Sequence, residues 1–366
     1  MPKISIILPT YNGQQYIGEA IESIIEQTFQ DWELIIVDDC SSDNTLDIIR
    51  KYEKQDLRIK VIHNDVNKKL PASLNIGFKY AKGMYLTWTS DDNMYLPDAL
   101  YNMEQYLNDN SDKVMVCARY SIINENGEFL YNAGKYDKDM MYVNNCVGAC
   151  FLYKKCVLET AGNYSESKFL VEDYDYWLRV LFKYGEIGYI ENILYYYRTH
   201  EASLTMQRKQ DIHKKLLELR KEHLLQIIEK LKQRKDLLCE LFYEFKEGDM
   251  LNNDIIALFY SVVPELKIDC GMLNDKRAVV YGAGNYGEKV YQKYSNIIDY
   301  YVDQNKYGLY LHDKKIFSIS QLTELTHTHQ ILVASSPKNV YSFLKTLILN
   351  DIKKCTVIVF ENNVLL

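Results

Sequence analysis

Three features of the 366-residue chain predict an α/β protein built from more than one domain. Short β-branched runs alternate with helical patterns from residue 3 to residue 108. A basic amphipathic stretch follows over 205–236, and near Asp275 a strand, a glycine-punctuated loop and a helix open a final unit. The length exceeds a usual single domain, so the expected organisation is a first domain over 1–205, a helical connector over 206–274 and a small last domain over 275–366.

The elements follow in order. Residues 3–8 are too short an apolar run for a secretory signal and read as a first strand. Ile17, Ile21, Ile24 and Ile25 fall on one helical face. A strand is expected at 32–37, a helix at 45–55, a strand at 58–63, a helix at 71–81 closed by Gly83, a strand at 84–89 and a helix at 97–108. Such alternation predicts a mostly parallel sheet with helices on both faces. Residues 113–198 are less regular, with a hairpin turn at Asn126-Gly127. From 205 to 236 the positions of Ile212, Leu216, Leu219, Leu224, Ile227, Ile228 and Leu231 predict one long helix. Its polar face is basic, from Arg208-Lys209 to Arg234-Lys235. That face reads as the solvated side of a connector, with peripheral membrane contact through 206–235 as the alternative.

Composition removes several classes. A formal charge of −7 argues against a nucleic-acid binder, which needs an excess of Lys and Arg on the binding face. No window reaches the roughly 20 apolar residues of a membrane span. The eight cysteines lack paired CxxC spacing and read as thiols of a reducing cytoplasm, so the expected location is cytoplasmic, at the inner face of the membrane if the basic helix touches it. The 32 tyrosines would suit carbohydrate surfaces, though a compositional bias explains them as well.

In an open parallel sheet, ligands bind beyond the carboxyl ends of the strands. Three loops at that edge carry suitable chemistry: Pro9-Thr10-Tyr11-Asn12-Gly13 after the first strand, Asp38 to Asp43 (DDCSSD) after the second, and Ser90-Asp91-Asp92-Asn93 after the fourth. Proline and glycine shape a turn from which Tyr11 could stack on a base. Carboxylates would repel a diphosphate unless a divalent cation stood between them, so Asp91-Asp92 implies Mg or Mn. Asp39 is better placed for the base or ribose. Each acidic pair alone could be a helix cap or turn former; three such loops on one edge point to a nucleotide-diphosphate site.

The run from Ser5 to Gly13 (SIILPTYNG), followed by Gln27 to Thr45 (QTFQDWELIIVDDCSSDNT), resembles the opening of family 2 glycosyltransferases, which have the GT-A nucleotide-diphospho-sugar transferase fold. Thr87 to Asp98 (TWTSDDNMYLPD) looks like the spore-coat-polysaccharide type of that family, and the likeness covers roughly residues 1–205. It implies that Pro9, Thr10, Tyr11, Asp39 and Asp91 line the nucleotide pocket, with ribose and metal contacts divided between Asp91 and Asp92. Thr89 stands where many members carry a further carboxylate, and the stretch from Asn67 to Gly77 lacks the arginine that commonly precedes the counterpart of Asn75.

Inverting transfer needs a general base for the acceptor hydroxyl. In Val171 to Arg179 (VEDYDYWLR), Glu172 and Asp173 would serve a helix dipole equally well on local evidence. The family likeness makes Asp173 the base and Glu172 its orienting or acceptor-binding neighbour. By the same likeness Cys146 to Tyr153 (CVGACFLY) lines the sugar pocket, where Gly148 admits close approach. Tyr197 to Leu204 (YRTHEASL) ends the domain, with His200 as a third metal ligand or diphosphate contact and Arg198 as a charge partner. The implied activity is transfer of a sugar from a nucleotide sugar, a UDP-sugar by expectation, to a glycan, lipid-linked or protein acceptor in cell-surface polysaccharide or glycoconjugate synthesis.

The last unit contains Gly282-x-Gly284-x-x-Gly287 between a strand and a helix, with Asp303 ending the next strand, as a dinucleotide fingerprint expects. Further strands at 330–334 and 354–360 would complete a small Rossmann-like domain that binds a second nucleotide or NAD, or serves as a packing module with an empty loop. Two other functions therefore stay open: a non-catalytic nucleotide-sugar sensor, and an NAD-dependent sugar-modifying enzyme acting through the last domain.

Overall fold

The computed structural model describes residues 1–366 other than 135, 267–268, 271–275, 336–339, 351, 353, 362–363 and 366, so Asp275, the expected start of the last domain, lies outside the described residues. The chain divides into two compact units, Met1–Ile227 and Ile228–Leu366.

In the first unit β1 (Ile4–Thr10), α1 (Ile17–Ile25), β2 (Trp32–Asp38), α2 (Thr45–Gln55), β3 (Ile59–His63), α3 (Leu70–Tyr80) and β4 (Tyr85–Trp88) alternate as the sequence predicts. They are followed by β5 (Met94–Tyr95), α4 (Ala99–Asp109), β6 (Met115–Ile123), β7 (Phe129–Ala133), β8 (Phe151–Lys154), α5 (Lys155–Ala161), α6 (Glu172–Tyr184) and β9 (Gly188–Arg198). The sheet runs β3-β2-β1-β4-β8-β6-β9-β5, with β7 paired to β6. Its β3-β2-β1-β4 half is parallel, whereas β8 is antiparallel to both β4 and β6. The sheet is therefore mixed rather than mostly parallel. The predicted turn joins β6 to β7, with Gly127 at φ +85° supplying the left-handed conformation.

All seven residues of β1 are buried, as expected of a strand covered on both faces. Ile4, Ile6 and Leu8 pack with apolar residues of α1, α2 and α4. On the opposite face α3 lies close enough that a Cβ at Gly77 would strike Ile7. This two-sided burial fixes the register of the central strands, and with it the positions of the loops at their carboxyl ends.

The single helix expected over 205–236 is instead a series of shorter ones: α7 (Leu204–Gln207), α8 (Lys209–Glu222), α9 (Leu224–Leu231) and the start of α10 (Lys235–Glu247). Leu219 and Leu224 stand five positions apart, which would rotate the second apolar set off the first set's face in one continuous helix. The chain re-phases at His223, whose ring lies 5.3 Å from that of Phe182. Much of the basic face is locally partnered, Arg208 by Asp211, Lys232 by Glu229 and Arg234 by Asp236, while Lys215 donates to the carbonyl of Phe169. Among the described residues no helix is long and apolar enough to cross a membrane.

The second unit adds α11 (Asn253–Val262), within the stretch expected to be a helical connector, whose cap is the Asn252 side chain accepting from the Ile255 N–H. Then come β10 (Asp269–Cys270), β11 (Ala278–Tyr281), α12 (Asn285–Tyr294), β12 (Ile298–Val302), β13 (Tyr310–Leu311), β14 (Lys314–Phe317), α13 (Leu322–Leu325), β15 (Gln330–Ser335), α14 (Val340–Leu349), β16 (Lys354–Glu361) and β17 (Val364–Leu365). The order β10-β16-β15-β11-β12-β14-β13 contains a parallel core, β14-β12-β11-β15-β16, in the 3-2-1-4-5 sequence of doubly wound sheets.

Candidate active site

The carboxyl ends of β1, β2 and β4 lie side by side, and the loops leaving them are tied together. The Asp39 N–H donates to the Thr10 carbonyl at 2.8 Å, and the Thr89 N–H to the Ile7 carbonyl at 2.9 Å. Asn12, at φ +56°, bridges to the second loop by donating its N–H to Ser41 Oγ and accepting from the Ser42 N–H. Pro9 is the penultimate residue of β1, and the ring of Tyr11 just beyond it is 52% exposed, an unpacked aromatic face at a ligand edge. Asp39 is buried, and its carboxylate accepts from Asn64 Nδ2 and from the Lys68 and Lys69 N–H groups, each at 2.8 Å. It thereby shapes the 64–69 segment beside the proposed base pocket.

Asp91 and Asp92 turn apart. Asp91 accepts from Thr10 Oγ1 and the Tyr11 N–H and lies against Gly13, where a Cβ would run into its Oδ2. Burial, then the neighbouring charge of Asp92, pushes its carboxyl up to about 7. Asp92 Oδ2 is 3.0 Å from His200 Nε2, its backbone carbonyl accepts from Arg198 Nε, and its Oδ1 is buried without a partner. Burial raises this carboxyl too, against the lowering contact with His200. Two adjacent half-buried carboxylates, one with an orphaned oxygen, form a donor set that a hard divalent cation would satisfy. Among the described residues no three His, Cys, Asp or Glu side chains form a complete metal cluster, so oxygens from a ligand would have to share the shell.

Thr89 does not face this pair. Its hydroxyl is 2.5 Å from the Tyr195 hydroxyl in the core, so this side chain is committed to joining β4 and β9. Arg198, buried, binds Glu19 Oε2 at 2.5 Å, donates to the Asp92 and Glu125 carbonyls, and lies over the Tyr16 ring. Its charge partner is thus Glu19, and its role at Asp92 is through the backbone.

Glu172 and Asp173 open α6. Glu172 Oε2 accepts from the N–H of Leu170, a left-handed residue at φ +84°, so this carboxylate holds the strained turn that aims the helix. Burial and the charge of Asp173 raise its pKa. Asp173 Oδ1 accepts from the Tyr174 N–H and Oδ2 from Asn145 Nδ2, each at 2.7 Å, while burial raises its pKa as well. Burial pushes the Tyr197 hydroxyl up, and the charges of both Asp92 and Asp173 act on it in the same direction. The space beside Gly148, at φ +66°, is filled by the Tyr120 ring. Asn145 escapes sequence reasoning, although it adjoins the run from Cys146 to Tyr153, and Tyr197 opens the run from Tyr197 to Leu204 without being assigned a role there.

In the second unit the predicted residues meet at the end of β11. Gly282 needs its φ of +109°, and a Cβ at Gly287 would strike the Gly282 carbonyl oxygen; at Gly284 the space is open. Asp303 accepts from the Ala283, Asn305 and Lys306 N–H groups, tying the loop to the end of β12.

With the geometry in place, the first unit is recognisable as a GT-A fold of the glycosyltransferase class. The model of Glycosyl transferase family 2 matches residues 5–161, and WcaA of Escherichia coli, named for colanic acid biosynthesis, is 32% identical over 208 residues, covering 52% of this chain and 70% of that protein. The chain belongs to glycosyltransferase family 2. Glycosyltransferase RP339 of Rickettsia prowazekii is 31% identical over 216 residues, 56% of this chain, and the match spans 66% of that protein, just under two thirds of its length. TarS 1-349 of S. aureus, solved with UDP-GlcNAc, superposes with a TM-score of 0.54 at 19% identity over 71% of this chain and 79% of that one. Mannosyltransferase PcManGT of Pyrobaculum calidifontis, solved with GDP-Man and Mn2+, gives 0.51 at 15% over 72% and 80%. These two likenesses speak to the fold.

Proposed function

We propose that the chain is an inverting, metal-dependent glycosyltransferase that moves a sugar from a UDP-sugar to a glycan, lipid-linked or protein acceptor in cell-surface polysaccharide synthesis. The observation that carries this reading is the half-buried Asp91-Asp92 pair at the converging strand ends, with Asp92 Oδ1 unpartnered. Support for the polysaccharide setting comes from the names of WcaA and of TuaG of Bacillus subtilis, the latter named for teichuronic acid biosynthesis and 36% identical over 110 residues. UDP-GlcNAc in TarS and Mn2+ in PcManGT supply the donor and cation to be tried first.

In this reading Tyr11 stacks on the base, and Asp39 fixes the pocket wall through residues 64–69 and reaches the base or ribose. Asp91 takes a ribose hydroxyl, and Asp92, oriented by His200, would hold the cation together with oxygens of the diphosphate, in place of the Asp91-Asp92-His200 ligand set expected from the sequence. Bound there, a divalent cation offsets the charge developing on the departing diphosphate. Asp173 accepts the proton of the attacking acceptor hydroxyl as that oxygen bonds to the anomeric carbon and the bond to the diphosphate breaks on the opposite face. Glu172 keeps the helix start in place.

The test is UDP release from a panel of UDP-sugars with Mn2+ or Mg2+. Turnover that requires the cation and disappears in Asp92→Asn is expected. Donor binding without turnover under any condition would favour a nucleotide-sugar sensor instead.

A further inference from the structure

Three groups in the first unit are buried polar atoms near the proposed chemistry with no partner: Asp38 Oδ1, Asp92 Oδ1 and Asn145 Oδ1. Asp92 belongs to the cation site, and Asp38 is held by His63 at 2.7 Å on its other oxygen. Asn145 is different. It sits in the loop between β7 and β8, with no regular structure to fix it, yet its Nδ2 lies 2.7 Å from Asp173 Oδ2. The orientation of the amide follows from chemistry, since turning it over would set the Oδ1 lone pairs against a carboxylate. A side chain kept for its own hydrogen bonding would have both ends satisfied; this one has a buried Oδ1 with none, so the bond to Asp173 is what accounts for its placement.

We propose that Asn145 is a positioning residue for the reaction: it fixes the orientation of the Asp173 carboxylate and keeps it ionised, so that a remaining lone pair faces the acceptor hydroxyl. This rests on the reading of Asp173 as the general base. The arrangement answers a physical difficulty. Asp173 is half-buried, has Glu172 beside it, and interacts electrostatically with Tyr164 and Tyr197; Lys215 acts on Glu172 from α8. Burial works against the ionised form that a base needs, and the donors that oppose it are the Tyr174 N–H, Asn145 Nδ2 and the Asp173 N–H. Of these, Asn145 alone comes from outside α6, so it also sets where along the helix face the carboxylate points.

The experiment is a titration of the Asp173 carboxyl carbon by NMR in the full chain labelled at aspartate, with the resonance assigned by its loss in Asp173→Asn. The probes are wild type, Asn145→Ala and the near-isosteric Asn145→Asp, which exchanges the donor for a second carboxylate. In both variants the Asp173 midpoint should rise by at least about half a pH unit, more in Asn145→Asp. The acid limb of UDP release should move up with it. Midpoints equal to wild type in both variants would overturn the proposal, and Asn145→Asp keeps it falsifiable if the alanine variant does not fold. If the midpoints move but Asp173→Asn still transfers sugar, the assignment of the base falls, and a positioning role in the reaction falls with it. If neither the midpoints nor the acid limb moves while Asp173→Asn is inactive, the base stands and the role of Asn145 is refuted.

Discussion

The Oδ2 of Asp92 and the Nε2 of His200, 108 positions apart in the chain, lie 3.0 Å from each other beside the proposed donor site. His200 follows β9 directly, and its ring packs 5.1 Å from that of Tyr16, which is itself covered by Arg198. The contact orients a carboxylate whose other oxygen has no partner. His200→Ala should therefore weaken Mn2+-dependent UDP binding by roughly 10- to 100-fold, the usual cost of losing a partner that orients a metal ligand. Calorimetric titration of UDP with and without Mn2+ checks this; unchanged affinity would detach His200 from the cation.

Gly13 is small because Asp91 and Thr10 occupy the space a side chain would take. Gly13→Ala should push Asp91 off its Thr10 contact and lower donor affinity roughly tenfold, about 1.4 kcal/mol. The β1–β2 core does not reach this loop, so the melting temperature should change little. A variant that binds donor normally would show that Asp91 is not required where it stands.

The carboxyl of Asp91, raised by burial to about 7, makes a prediction about stability. A carboxyl that holds its proton more tightly when folded than when unfolded stabilises the fold below its ordinary range and loses that contribution as pH climbs to about 7. The metal-free protein should therefore grow less stable across that window. Asp91→Asn should flatten the slope and raise the melting temperature near pH 7.5, at roughly 2–4 °C per kcal/mol recovered. The same change should weaken donor binding. Scanning calorimetry at several pH values tests both signs, and a variant less stable than wild type at pH 7.5 would contradict the account.

In the second unit Gly287 packs its helix start onto the Gly282 carbonyl. Gly287→Ala should destabilise this unit by about 1–3 kcal/mol, as overpacking does. Denaturant unfolding followed by hydrogen exchange at β11 and β12 would report it. Gly284→Ala, facing open space at φ −96°, should cost far less.

The donor edge was legible because β1, β2 and β4 are continuous apolar runs whose polar punctuation falls on one side of the sheet. The chain there has little freedom to place Thr10, Asp39 and Asp91 anywhere else. What escaped depends on contacts between distant segments. Thr89 stands where many family members carry a carboxylate, and its link to Tyr195 across 106 positions could not be read from the sequence. Asn145 reaches Asp173 from an irregular loop with no periodicity to read. The antiparallel β8 was hidden for the same reason, being only four residues long. The broken helix after Thr205 was misread because apolar spacing was followed without its phase, which slips between Leu219 and Leu224.

The central claim is that the acidic pair at the strand ends binds donor while Asp173 takes the acceptor proton. It is tested most directly by measuring UDP-sugar affinity and transfer together in Asp173→Asn. The account predicts that transfer falls by roughly 10²–10⁴-fold, the scale of a lost general base, while donor affinity stays near wild type. Equal loss of donor affinity, or transfer at the wild-type rate, would contradict it.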